Sequence, residues 1–227
     1  MKNTTNIINY ICLLLICCNC HYQPKEQEEQ KKLDSIALVE QRSIEIADSI
    51  KATIQKEQSL IAWGDTKFGM TFQEVKNSQT FNGGSQYDST LFVSRDSTFI
   101  SGYSFSSIYA GFYQNSLYKV NISSDWKTLD NFDDILKIVE ILRKKIQSKY
   151  GEPNFIEKDK EYVSSQLLDR NSVTLFSWEI LNKCIDINIQ HESEEYFCVN
   201  CLIYNKILMS QVIECRNKKK KIDNGGF

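Results

Sequence analysis

Histidine and proline are scarce in this chain of 227 residues, with two of each, and glycine is held to nine. The histidines, His21 and His191, starve most metal and acid–base schemes, because a catalytic imidazole needs an orienting partner and a nucleophile or substrate beside it. Neither stands in a motif that supplies one. No glycine loop suited to cradling phosphate occurs, since Gly83-Gly84 stands alone in an Asn-Gly-Gly-Ser turn. An excess of charge of one sign is also lacking. With 27 Lys and Arg against 29 Asp and Glu, there is no global basic field to draw the chain onto nucleic acid. Long apolar runs are missing as well: the longest, near the N-terminus, is about a dozen residues, whereas a spanning helix needs roughly 20. The residues point to no catalytic site, metal, cofactor or nucleic-acid partner.

What is present starts at the N-terminus. Lys2 and the polar stretch Asn3–Asn6 lead into Ile7, Ile8, Ile11 and Leu13–Ile16, ending in Cys17-Cys18-Asn19-Cys20. That length fits the apolar region of a signal peptide. The run Leu15-Ile16-Cys17-Cys18 resembles a bacterial lipobox, which makes Cys18 the first candidate for lipidation and Cys20 the alternative. The resemblance implies a diacylglycerol and an N-acyl chain on the new N-terminus, beyond the two-signal threshold for stable anchoring. It places the body in the cell envelope, anchored by lipid at the outer membrane, on its periplasmic or surface face. A cleaved secretory signal and an uncleaved anchor are the other readings of the same residues.

In an oxidising compartment the remaining cysteines, Cys184, Cys198, Cys201 and Cys215, can form two disulfides in three connectivities. Cys201 with Cys215 is the first pairing expected, both facing the presumed core. Cys198-Val199-Asn200-Cys201 is a CxxC, but it lies in a predicted strand. Alternate side chains there point to opposite faces, so the two thiols neither bridge each other nor share a metal.

The pattern divides the chain into a signal peptide (1–17), a flexible polar linker (18–32), a helical spacer (33–61) and an α+β body (62–227) with halves at 62–128 and 129–227. In the spacer Ile36, Val39, Ser43, Ile46, Ile50, Thr53, Glu57 and Leu60 follow a 3-4 spacing, a heptad seam with three polar positions. Weak homo-oligomerisation through this seam is expected. Asp-Ser-Ile recurs at 34–36 and 48–50, and such helices resemble the spacers that follow the lipid site in Bacteroidetes-type envelope lipoproteins. About 29 residues of helix span roughly 40 Å.

In the body, Thr71 and Glu74 form a capping box, with Met70 and Val75 in staple positions, opening a short helix at 72–79. Strands are predicted at 89–94, 98–105, 107–113 and 116–122, with turns at Arg95-Asp96-Ser97 and Gln114-Asn115. A strong amphipathic helix over 132–150 is capped by Asn131 and stopped by Gly151 and Pro153. A second β block covers 161–168, 172–181, 184–190 and 196–204, its last hairpin turning at His191–Glu195. A terminal helix runs from Lys206 to about Lys221, with Arg216 and Lys218–Lys221 basic at its end. Trp63, Trp126 and Trp178 read as packing residues. The order implies two αβββ-like units with antiparallel sheets covered by helices.

Gly69-Met70-Thr71-x-x-Glu74-Val75 and Tyr150-Gly151-Glu152-Pro153 resemble motifs flanking the helix of small αβββ outer-membrane-assembly lipoprotein domains, the BamE-like group. With Phe112, Leu117-Tyr118 and the Trp178 strand, they also resemble a class of bacterial envelope proteins. In that group the two motifs flank one helix, whereas here they belong to two. The function expected is a non-catalytic, lipid-anchored envelope protein that binds a protein or another envelope component. An assembly accessory of the BamE-like kind, or a hydrolase of cell-wall or secreted substrates, is the alternative.

Overall fold

The computed structural model describes residues 25–86, 92–193 and 195–224. The signal segment, Cys18 and Cys20 lie outside the described residues. Helix α1 runs from Lys25 to Leu60, so it begins inside the expected linker rather than at Leu33. The Glu, Gln and Lys residues there are strong helix formers, and Pro24 just before them suits a helix start. Residues 29–57 are all exposed, and Ile36, Val39, Ile46 and Ile50 each keep more than half their surface in water.

The chain divides into two compact units, residues 1–53 and 54–227. The body therefore begins inside α1 rather than at Ala62. Ser59 and Ala62 are buried, and the Leu60 carbonyl accepts the Phe68 N–H at 2.9 Å.

In the body, α2 (Phe72–Lys76) opens on the expected capping box. Thr71 accepts the Glu74 N–H, and Glu74 accepts the Thr71 N–H. Then come β1 (Ser85–Gln86), β2 (Phe92–Ile100), β3 (Tyr103–Tyr113) and β4 (Ser116–Ser123). Strand β2 runs straight through Arg95–Ser97, and the chain turns at Ser101-Gly102, where both residues have positive φ. Gly102 makes that left-handed corner cheap, a feature the polar triplet lacks. Gln114-Asn115 is a turn as expected, again with both φ positive. A 3-10 turn at Leu129–Asn131 precedes α3 (Phe132–Tyr150). Asn131 stands at its N-cap without a side-chain bond to the helix N–H groups, its amide donating to Thr128 Oγ1 instead, and Gly151, at φ 81°, ends it.

Strand β5 (Phe155–Ile156) precedes α4 (Lys160–Leu168), where the periodicity predicted a strand. Asp159 accepts the N–H groups of Glu161 and Tyr162 and so caps a helix start. Strands β6 (Val173–Ile180), β7 (Lys183–Ser193) and β8 (Tyr196–Asn205) lead into α5 (Lys206–Asn224). His191 therefore lies in a strand, not in the hairpin turn. The fold is α+β, and the two expected units merge through β4 and β8 into one antiparallel sheet, ordered β1-β2-β3-β4-β8-β7-β6-β5.

Helix α3 packs Ile135, Ile138, Leu142 and Ile146 onto one sheet face, against a core that includes Val120, Ile122, Ile187, Val199, Cys201 and Trp178. The Trp178 indole N–H donates to the Gly151 carbonyl at 2.8 Å, which ties the end of α3 to β6. The opposite face carries α5 at one end, where Cys215 bonds the Tyr113 hydroxyl and Arg216 lies near Tyr118 and Lys119. Tyr118 is the extra residue where the β3–β4 register shifts. The rest of that face is the candidate site.

Candidate functional site

Period-2 alternation places small polar side chains side by side on neighbouring strands. On the face away from α3, Ser107 of β3 pairs with Ser123 of β4, and Ser123 pairs with Asn200 of β8. Asn200 in turn pairs with Asn188 of β7, and Gln190 pairs with Cys198. Asn200 is 98% withdrawn from solvent, its side chain 2% exposed, and it is the hub of the cluster. Its Oδ1 accepts from the Asn121 Nδ2 at 3.0 Å and from the Ser123 hydroxyl. Its own Nδ2 donates to Gln190 Oε1 at 3.1 Å and to Cys198 Sγ at 3.2 Å. Such a network rigidifies a site when its members are satisfied. Asn121 Oδ1 and Asn188 Oδ1, by contrast, are buried without a protein partner.

The floor is held by the segment after β4. The Ser124 hydroxyl accepts the Val199 N–H at 2.9 Å, and the Lys127 and Phe197 backbones exchange two 2.8 Å bonds. This clamp presents Trp126 to solvent with 66% of its surface exposed. Its ring lies 6.2 Å from that of Tyr196, tilted by 42°. Tyr109, Asn121, Ser123, Gln190, Asn200 and Trp126 line a cavity of about 570 Å3, within the usual range for small-ligand sites. Asp125 is the charged side chain of its lining. A groove between α3 and α4 is smaller, about 240 Å3, and sets Phe132, Leu136 and Phe176 beside the charged Glu140, Glu157 and Lys160.

The second concentration of unusual chemistry is sealed inside the body. Lys183 is fully buried. Its Nζ donates at 2.7 Å to both the Ile61 carbonyl and the Tyr150 hydroxyl, and lies 4.5 Å over the Tyr150 ring. Burial, with the Lys149 ammonium adding to it, pushes Lys183 down to about 7. Burial raises Tyr150 to about 12. Shielded from solvent, this amine clamps Ile61, just past the end of α1, to the sheet.

The structure does not bring Cys201 and Cys215 together. Cys184, Cys198, Cys201 and Cys215 form no disulfide among the described residues. Cys201 faces the core, while Cys215 sits on α5 at the other face, so the expected bridge would have to cross the sheet. The two cysteines of the CxxC point to opposite faces, as the strand reading requires: Cys198 borders the polar cavity and Cys201 lies among core residues. Burial raises the Cys201 thiol to about 12. His191 packs edge-on against Phe197 with centroids 5.4 Å apart, its Nε2 buried and unpartnered. No group of three potential metal ligands occurs among the described residues, and no described helix is long and apolar enough to cross a membrane.

Trp178 is core and Trp63 packs against it, but Trp126 is not a packing residue. The cavity had a trace in the sequence: Asn-x-Ser at 121–123, Asn-x-Gln at 188–190 and Cys-x-Asn at 198–200 repeat polar positions two apart on three strands. Their convergence needs the β4–β8 pairing, which sequence periodicity does not reveal. Comparison of the chain with protein-family models, with curated proteins and with solved structures finds no match.

Proposed function

We propose that this chain is a lipid-anchored envelope protein, joined to the membrane through Cys18, that binds an envelope component in the polar cavity of its sheet. The observation that carries this reading is the combination at the cavity: a floor of neutral amides and hydroxyls, and an exposed Trp126 at its rim with the Tyr196 ring beside it. Aromatic rings give large contact area at low entropic cost, and short polar side chains give adaptable hydrogen bonds. A rigid strand scaffold holds such groups in place better than a loop does. Helix α1 is the tether. Its exposed apolar seam supports weak self-pairing between copies, tempered by the polar Ser43, Thr53 and Glu57.

The test is photo-crosslinking in the native envelope. A photoreactive phenylalanine analogue replacing Trp126 should give a defined adduct. The same analogue at Leu181, exposed in the β6–β7 turn at the opposite end of β7 from Gln190, should give none. Equal labelling at both positions, or none at 126, would remove the support for this site.

A further inference from the structure

The chemistry of the cavity narrows what it holds. A peptide that adds a strand needs a free sheet edge, with a row of unpaired N–H and C=O groups. The floor strands β4, β8 and β7 are interior strands whose ladders are filled by neighbours on both sides. A polyanion needs cations, and the charged group on the lining is the Asp125 carboxylate. A lipid tail needs an apolar wall, which this face lacks. A ring bearing several hydroxyls matches what is there. Each hydroxyl both donates and accepts, as do the Asn and Gln amides and the Ser and Tyr hydroxyls around it. The C–H face of such a ring is apolar and suits an exposed indole.

We infer that the cavity binds a neutral carbohydrate, one sugar face stacked on Trp126 and its hydroxyls bonded to Asn121, Ser123, Gln190 and Tyr109. This rests on the reading that the cavity is the binding site. Two buried acceptors, Asn121 Oδ1 and Asn188 Oδ1, have no protein partner, so the cluster is not closed on itself. Unpaired buried polar atoms oppose folding, and a network of this kind calls for a reason beyond packing. Sites built around hydroxyl recognition also discriminate strongly against ligands that lack the hydroxyl.

Calorimetric titration of the full lipidated chain, in a detergent without a sugar headgroup, tests this. The probes are an N-acetylglucosamine tetramer, maltotetraose, a sulfated tetrasaccharide, and a solubilised envelope fraction before and after periodate cleavage of its vicinal diols. At least one neutral oligosaccharide should bind. Trp126→Ala should weaken it about tenfold or more, while Trp126→Phe keeps it within about threefold; the first step corresponds to about 1.4 kcal/mol. Gln190→Ala, at another exposed position, guards against a single misfolded variant. If the envelope fraction binds in a Trp126-dependent way but the neutral sugars do not, and periodate changes nothing, the carbohydrate class is wrong and the site stands. If neither sugars nor envelope fraction bind, or binding ignores Trp126, both readings fall.

Discussion

At the scale of residues, a few positions carry constraints that their neighbours do not. Gly64 has φ 58°, and a Cβ built there would lie 2.1 Å from Thr80 Oγ1. The Thr80 hydroxyl cannot withdraw freely, because it donates to Asp65 at 2.5 Å. Burial opposes the Asp65 charge, but the Thr80 hydroxyl and the Gln79 and Thr80 N–H groups outweigh it and hold that carboxyl below its usual value. Gly64→Ala should cost about 1–3 kcal/mol by denaturant unfolding, and an unchanged midpoint would show that the turn tolerates a side chain. Lys183 sets a pH dependence of definite sign. Its folded value is depressed to about 7 from 10.5, so above pH 7 the unfolded chain binds the extra proton and stability rises with pH. Cys201 and Tyr150 are raised to about 12 by burial from 9.0 and 10.0, so Cys201 offsets that slope above about pH 9 and the two together reverse it above about pH 10. Between pH 7 and 9 the wild type should gain melting temperature relative to Lys183→Met, and parallel curves would contradict the clamp. The buried thiols should also react slowly. Cys184 and Cys201, both raised by burial, should resist alkylation in the native protein at neutral pH, and rapid labelling of either would place it at the surface. The opposite facing of Cys198 and Cys201 was legible from strand alternation. The clamp was not, because Lys183 reads in sequence as an ordinary charged residue at a strand start.

Elements were legible where a local rule decides them. The Thr71–Glu74 box, the α3 stripe with its Gly151 stop and the Gln114-Asn115 turn all rest on interactions within a few residues. Elsewhere local signals compete. Asp159 turned an apolar stretch into α4, and Gly102 moved the hairpin corner past Arg95–Ser97. The start of the body depends on tertiary contacts. Leu60 and Ile61 lend their carbonyls to Phe68 and Lys183, contacts that no heptad count reveals. A chain starting at Ile54 should therefore melt cooperatively within a few degrees of the full protein. A chain starting at Trp63 should lose about 1–3 kcal/mol, the cost of an orphaned hydrogen bond to a buried amine. Equal stability of the two truncations would show that the last turns of α1 are dispensable.

For the whole molecule, compartment and fold class are what composition and N-terminal pattern speak to, whereas the polar face arises only when two meanders join at β4 and β8. Cys18→Ala should release the chain from the membrane fraction or leave a precursor, whereas Cys20→Ala should do neither. A mature N-terminus without lipid, found by mass spectrometry, would contradict the anchor. The claim on which the account turns is that the polar face of the sheet is the working surface. Amide hydrogen exchange of the full chain, with and without a solubilised envelope fraction, tests it without presuming the ligand. Added protection should fall on segments 104–109, 121–128 and 188–200, and leave α3 and α4 unchanged. Protection centred on the α3–α4 groove or on α5, or none at all, would contradict the account.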